Sequence, residues 1–263
     1  MRIITLNCNG LRSAERHGFS AWLADARPDI LLLQEVRADA SSLDAALLSP
    51  PGWRVGWHFA EKKGYAGTAV WVKEGLEGMA SIAFSVGTGH PRGDGEGRVI
   101  GAQLRWHDGR TLDAWSVYLP SGSSGPERQE WKFAYLDHFG PWMTERLRCG
   151  RPTIIGGDWN IAHTPKDIKN AKSNEKNSGF LPEERAWISA RLAEGWRDVF
   201  RDLHPESTAY SWWSNRGNAR ANDVGWRIDY VLATPDLPVA NAVIERAANL
   251  SDHAPVRVEV EIR

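Results

Sequence analysis

Short β-rich runs recur along the whole chain, at residues 2–6, 29–34, 68–72, 81–85, 99–106, 111–118, 152–155, 228–233 and 256–262. Several are near-continuous apolar stretches rather than alternating ones, the pattern of strands covered on both faces. Helical periodicity falls between them. Residues 11–26 place Leu11, Phe19, Trp22 and Leu23 at helix-like spacing. Residues 127–148 do the same with Trp131, Tyr135, Leu136, Phe139 and Leu147, and Ser123 or Ser124 with Pro126 supply start signals. A third helix is predicted over 183–192, after Pro182. No linker, low-complexity tract or charged tail interrupts the series. Mixed strands and helices without a boundary predict one α/β domain over residues 1–263, with packed sheets and outer helices.

A weak internal echo accompanies this pattern. Ile3-Ile4-Thr5-Leu6-Asn7-Cys8-Asn9-Gly10 resembles Thr153-Ile154-Ile155-Gly156-Gly157-Asp158-Trp159-Asn160, each an apolar strand ending in a polar residue, a spacer and Asn. Either two related sheet halves or chance accounts for it. Ionisable and amide side chains collect where the predicted strands end. In extended backbone, residues two apart point to one side, so Asn7 with Asn9, and Asp158 with Asn160, are each expected to share a face. Glu35 follows one strand, Tyr118 ends another, and Asp252-His253 precedes the last. Asp229 sits inside an apolar run, where a structural ion pair with Arg227 is the plain reading.

Composition narrows the classes. A chain of 263 residues with 32 Lys+Arg against 33 Asp+Glu has a formal charge of −1, which excludes a polybasic coat but not a basic face. Two cysteines make no disulfide framework and suggest a reducing compartment. The amino terminus lacks a signal-peptide core, and the longest aliphatic run covers residues 30–33. A soluble, cytoplasmic protein that spans no membrane is expected. Fourteen Trp against seven Phe is the unusual number: most are core, and some can be platforms for flat or apolar ligand groups.

The carboxylates, Asn, His and Tyr at strand ends form a hard-oxygen set suited to Mg²⁺. Zinc is disfavoured because the cysteines are far apart without paired His and no H-E-x-x-H occurs. A serine-hydrolase elbow, a P-loop and a G-x-G-x-x-G turn are all missing.

These residues resemble the exonuclease III type of AP endonucleases, in the endonuclease/exonuclease/phosphatase superfamily that includes deoxyribonuclease I. The motifs run nearly end to end: Asn7-x-Asn9-Gly10-Leu11-Arg12, Leu33-Gln34-Glu35, Gly64-Tyr65-Ala66-Gly67, Tyr118-Leu119-Pro120 and Gly157-Asp158-Trp159-Asn160-Ile161-Ala162-His163. They continue with Asn177-Ser178-Gly179-Phe180-Leu181-Pro182-Glu183-Glu184-Arg185, Gly225-Trp226-Arg227-Ile228-Asp229-Tyr230 and Ser251-Asp252-His253-Ala254-Pro255. The resemblance implies a four-layer α/β sandwich of two facing mixed sheets with outer helices, and a Mg²⁺-dependent (or Mn²⁺-dependent) enzyme on double-stranded DNA. It would incise 5′ to abasic sites and trim blocked 3′ ends as phosphatase, diesterase or exonuclease, as a monomer.

By the same resemblance Glu35, with Asn7 and Asp252, would hold the metal. Asp158 and Asn160 would orient and activate the attacking water, Asp229 would fix the tautomer of His253, and His253 with Tyr118 would hold the phosphate. Whether Asp158 or His253 takes the water's proton is left open; a His paired to a carboxylate tends to stay protonated, which favours Asp158. Trp212, Trp226 and Ile228 fall on positions that wall a small apolar pocket for a sugar lacking its base. Trp213 and Trp196 read instead as core. Asn9, Arg12, Tyr65, Ser121, Lys172, Asn174, Asn177, Arg216 and Arg220 would contact DNA. Local basic density around 161–176 and 215–227 agrees, although a solvated face is the bland alternative. Cys8 is expected to point into the core.

Two departures stand out. Ser121 replaces a Gln or Asn that relatives extend toward DNA, and Ser124 stands where one branch has Arg. They leave three rivals: an enzyme restricted to 3′ ends, a small phosphate-ester phosphatase, and a non-catalytic DNA-binding module.

Overall fold

The computed structural model describes residues 1–262. Its strands are β1 (Arg2–Asn7), β2 (Ile30–Gln34), β3 (Trp53–His58), β4 (Thr68–Lys73), β5 (Met79–Val86), β6 (Val99–Trp106) and β7 (Thr111–Tyr118). They continue as β8 (Thr153–Asp158), β9 (Arg197–Asp198), β10 (Trp212–Trp213), β11 (Gly225–Trp226), β12 (Asp229–Ala233), β13 (Val239–Ile244) and β14 (Val256–Val260). One six-stranded sheet has the order β13-β14-β1-β2-β4-β3, a second has β5-β6-β7-β8-β12-β9, and β10-β11 form a small hairpin.

Each six-stranded sheet is buried on both faces at its centre, which is why its strands read as apolar runs. Ile3, Ile30, Leu32, Val70 and Val72 of the first sheet face Ile100, Leu104, Leu112, Ile154 and Val231 of the second. Outside the second sheet, the helix Pro126–Arg148 packs Trp131, Tyr135, Phe139 and Met143 onto Trp115, Val117, Ile155 and Tyr230. Outside the first, Leu11, Ala14, Phe19 and Leu47 cover Ile4, Leu6, Leu31 and Trp71. The result is the four-layer sandwich that the motifs implied. No helix among the described residues is long and apolar enough to cross a membrane.

Two local expectations change. The helix over 11–26 is two helices, Leu11–Arg16 and Phe19–Ala26, because Gly18 adopts φ 90° and ends the first turn-run. A left-handed glycine is a common helix stop, and apolar spacing alone does not reveal it. Strands β3 and β13 were not anticipated. Both are edge strands with only part of each face covered, so their sequences lack the apolar continuity of the central strands.

β1 and β8 sit centrally in their own sheets and end on one rim, where Asn7 Nδ2 donates to Asp158 Oδ2 (2.9 Å). The internal echo therefore marks equivalent strands of the two sheets.

Candidate active site

Four strand ends line the polar floor of one cleft of about 720 Å³, and a fifth carries a carboxylate behind His253. Asn7 closes β1, Glu35 follows β2, Tyr118 closes β7, Asp158 closes β8, and Asp229 opens β12 directly opposite Asp158 in the antiparallel register. The loop between β13 and β14 brings Asp252 and His253 to the same place.

Asn9 and Asn160 reach the cleft by a different route from the one the spacing suggests. Both leave the strand with positive φ, 44° and 52°, so they are not extended residues. Each backbone N–H instead folds back onto the preceding side chain: Asn9 N to Asn7 Oδ1 (3.0 Å), and Asn160 N to Asp158 Oδ1 (2.9 Å). Asn tolerates this left-handed turn better than most residues, which explains an Asn at both positions of the echo.

Asp158 is buried and receives Asn7 Nδ2 and Asn160 Nδ2 on Oδ2, with His253 Nε2 at 3.9 Å. Burial, together with Asp229 and Glu35 nearby, raises its carboxyl to about 7 despite the opposing His253. His253 Nδ1 faces both oxygens of Asp229 at 2.9 and 3.1 Å. Burial works against a charged imidazole, but Asp229, Asp158 and Asp252 outweigh it and lift His253 to about 10. The charged form is therefore the resting one. Tyr118 donates to Glu35 Oε1, and burial with that carboxylate keeps the phenol well above its ordinary range. Arg98 lies under the Tyr118 ring at 4.8 Å and donates to its carbonyl (2.9 Å).

Glu35, Asn7 and Asp252 all line the cleft and present oxygens, the donor chemistry that Mg²⁺ takes. Glu35 Oε2 also pairs with Arg37 at 3.0 Å, so a cation there would compete with a guanidinium. Asp252 receives Asn9 Nδ2 (2.8 Å) and Trp212 Nε1 (3.1 Å). The tighter grouping of possible ligands is Asp158, Asp229 and His253, within 4.8 Å of one another, but a protonated imidazole is a poor ligand.

Trp212 and Trp226 meet edge to face, with centroids 6.1 Å apart, and Ile228 lies beside them. Trp213 and Trp196 are buried in core, and so is Cys8. Arg227, between the two wall residues, does not pair with Asp229. Its guanidinium forks onto Asp198 (2.7 and 3.0 Å) and its Nε reaches Asp167 (2.6 Å), which Arg201 also contacts. Asp167 is fully buried, yet these guanidiniums outweigh the cost of burial and hold its carboxyl down at about 2. A depressed folded value means stability present above the ordinary 3.8 and lost as pH falls through about 2, worth about 2 kcal/mol. Urea unfolding between those two pH values should show that loss, and Asp167→Asn should flatten it. An unchanged slope would remove Asp167 as its source.

The expected DNA contacts divide. Ser121 and Asn177 line the cleft, and so does Lys176, which the motifs did not single out. Arg12, Lys172 and Arg216 are exposed on loops or first turns outside it. Asn174 turns to its own loop, donating to Asn170 O (3.0 Å) and accepting from Asn177 Nδ2 (2.8 Å). The Tyr65 hydroxyl takes Arg128 and Arg98 at 3.0 and 3.4 Å. Arg220 turns its guanidinium back onto its own fold. Its guanidinium donates to the carbonyls of Arg246, Ala248 and Ser251 and stacks 4.7 Å over Trp213. Its Nη1 also reaches Asn249 Oδ1 at 3.3 Å.

Ser211 was also missed. Its Oγ donates to Asp229 Oδ2 (2.6 Å) and accepts the N–H groups of Ile228 and Asp229, which fixes the carboxylate that faces His253. A serine in a loop carries no periodic signal that could have disclosed this.

Comparison with known proteins agrees with the geometry. The sequence pattern of the endonuclease/exonuclease/phosphatase family matches residues 4–253. An exodeoxyribonuclease of Bacillus subtilis (strain 168) is 35% identical over 266 residues, covering 100% of both chains. The AP endonuclease LMAP of Leishmania major superposes with a TM-score of 0.86 at 29% identity, over 98% of this chain and 86% of that one. The 3′-5′ exonuclease NExo of Neisseria meningitidis gives 0.85 at 27%, over 99% and 100%. The chain belongs to the endonuclease/exonuclease/phosphatase family.

Proposed function

We propose that this chain is a Mg²⁺-dependent DNA repair phosphodiesterase that incises 5′ to abasic sites and removes 3′-blocking groups. The observation that carries the reading is the meeting, in one cleft, of Asp158, Asn160 and the Asp229-backed His253 with the Trp212–Trp226–Ile228 wall. A phosphoesterase floor alone fits many phosphate esters. An apolar wall beside it fits a deoxyribose with no base, and it would be an unhelpful surface for a highly charged small ester.

The chemistry follows from the charges. Protonated His253 and the Tyr118 hydroxyl can donate to the non-bridging oxygens of the scissile phosphate, where negative charge grows in the transition state. Asp158 and Asn160 position a water on the opposite side, and Asp158 takes its proton as the water's oxygen bonds to phosphorus. The bond from phosphorus to the 3′ oxygen breaks, that oxygen takes a proton from solvent water to become the 3′-hydroxyl, and the phosphate stays on the abasic sugar as a 5′ deoxyribose phosphate. Bound at Glu35, with Asn7 and Asp252, Mg²⁺ (or Mn²⁺, which accepts the same oxygen donors) would neutralise charge on the phosphate. Every group in this scheme comes from one chain, so a monomer suffices.

An end-labelled duplex with a central abasic analogue tests the reading. Incision in Mg²⁺ but not in EDTA, with a 3′-hydroxyl upstream, is expected; cleavage on the other side of the lesion, or none, contradicts it. Glu35→Ala should shift the Mg²⁺ titration to at least ~10-fold higher concentration, a cost typical of losing a metal-site partner. An unmoved titration would take Glu35 out of the metal site. Trp226→Ala should reduce abasic incision more than 3′-phosphate removal at a nick, and equal losses would make Trp226 a packing residue.

A further inference from the structure

Behind the cleft floor lies a charged pair that none of these steps uses. Lys132, on the helix Pro126–Arg148, and Glu184, in the first turn of the helix Pro182–Ala193, are both fully buried, with Nζ and Oε1 2.5 Å apart. Desolvating two charges is expensive, and a hydrophobic pair of similar volume is often at least as stable. Packing alone therefore gives a weak reason for this pair.

Its remaining hydrogen bonds all lead to the cleft. Lys132 Nζ donates to the carbonyl of Asn160 at 2.7 Å. Glu184 Oε2 accepts the N–H groups of Gly179 (2.6 Å) and Leu181 (3.0 Å), and Oε1 accepts Gln129 Nε2 (3.1 Å). Asn160, Gly179, Leu181 and Gln129 line the cleft. Gly179 is held at φ 92°, where a Cβ would stand 2.9 Å from the Trp226 ring and 3.1 Å from the Asn160 carbonyl. One further bond, from Ala162 N–H to the Gly179 carbonyl (2.7 Å), joins the same two loops.

We propose that the Lys132–Glu184 pair is a positioning device that sets the spacing between Asn160, at the reacting phosphate, and the pocket wall at Trp226. The proposal rests on the reading of the cleft given above. One loop leaves β8 and carries Asn160; the other carries Asn177 to Gly179 and abuts Trp226. The ammonium grips the first loop by its carbonyl and the carboxylate grips the second by two N–H groups, and the short contact between the charges fixes one against the other. Reaction geometry is sensitive to displacements near 1 Å, which can cost about 10²-fold.

The test compares Glu184→Gln with the double variant Lys132→Met/Glu184→Leu, on the abasic duplex and on a nick bearing a 3′-phosphate. Glu184→Gln has one acceptor oxygen where the carboxylate has two, so it can hold the Gly179 and Leu181 N–H groups or Lys132 but not both, and kcat should fall at least about threefold. The double variant removes both charges without stranding either, but it leaves the Gly179 and Leu181 N–H groups and the Asn160 carbonyl without those partners, so its thermal midpoint should fall by several degrees and both assays are run well below it. Its kcat should nevertheless fall at least ~10-fold on both substrates and furthest on the abasic duplex, with KM changed less than about threefold. Wild-type kcat in the double variant would overturn the proposal, because the pair would then be replaceable core. Wild-type kcat in Glu184→Gln would overturn it too, since the second carboxylate oxygen would then be dispensable. If wild type processes the nick but not the abasic duplex, the pocket reading fails, and the nick assay alone judges the pair.

Discussion

Asp158→Asn is expected to lower single-turnover hydrolysis by roughly 10²–10⁴-fold, the usual weight of a positioned general base. The substitution keeps the volume of the side chain and one oxygen, so the fold and DNA affinity should change little. What it removes is the proton acceptor. His253 is the rival for that role, and its surroundings speak against it: Nδ1 faces Asp229 and three carboxylates hold the imidazole charged up to about 10. A ring that already carries its proton can donate to phosphate but cannot take another from water. Near-normal turnover in Asp158→Asn would move the base elsewhere and would recast Asp158 as an anchor for Asn7 and Asn160.

Asp229→Asn should produce a loss of similar size, about 10²–10⁴-fold, by a different route. An amide carries no charge, so the imidazole loses the carboxylate that keeps it protonated, and the neutral ring is a weaker donor to the charge that grows on the phosphate. Ser211 holds the wild-type carboxylate in place, so the replacement should stay folded. The sign of the pH effect separates this from simple damage. Asp229 is the largest of the influences raising His253 from 6.5 to about 10, ahead of Asp158 and Asp252. Without it, the imidazole should lose its proton at lower pH, and the alkaline fall in residual activity should begin below about 10, where wild-type activity still holds. A residual rate with the wild-type alkaline limb would show that Asp229 does not govern the charge on His253.

Much of this site was legible because strand ends are a sequence-level feature. Glu35, Tyr118, Asp158 and Asp229 each interrupt or terminate an apolar run, and apolar runs map reliably onto the two-sided burial of central strands. The motif resemblance then gave those residues a common floor. Groups whose role depends on direction were not legible. Arg220 stands in a basic stretch as Arg216 does, yet one guanidinium caps carbonyls and the other meets solvent. Sequence carries charge but not the bond to which the charge is turned. Lys132 illustrates the same limit: on a long helix it reads as a surface residue, and only the packing of Glu184 against it shows that it is sealed in. Gly18 and Gly179 are a third case, since a positive φ is permitted by glycine and imposed by neighbours.

The most direct measurement sets two labelled duplexes side by side, one with a central abasic analogue and one with a nick carrying a 3′-phosphate, each with Mg²⁺ and with EDTA. The catalytic floor serves both substrates, whereas the wall of Trp212, Trp226 and Ile228 matters chiefly for the first. Metal-dependent turnover of both, with incision 5′ to the abasic site, is the result this account requires. Turnover of the 3′-phosphate alone would contradict it: the floor would stand, and the short Ser121–Ser124 loop would be the first place to look for the refusal of internal sites.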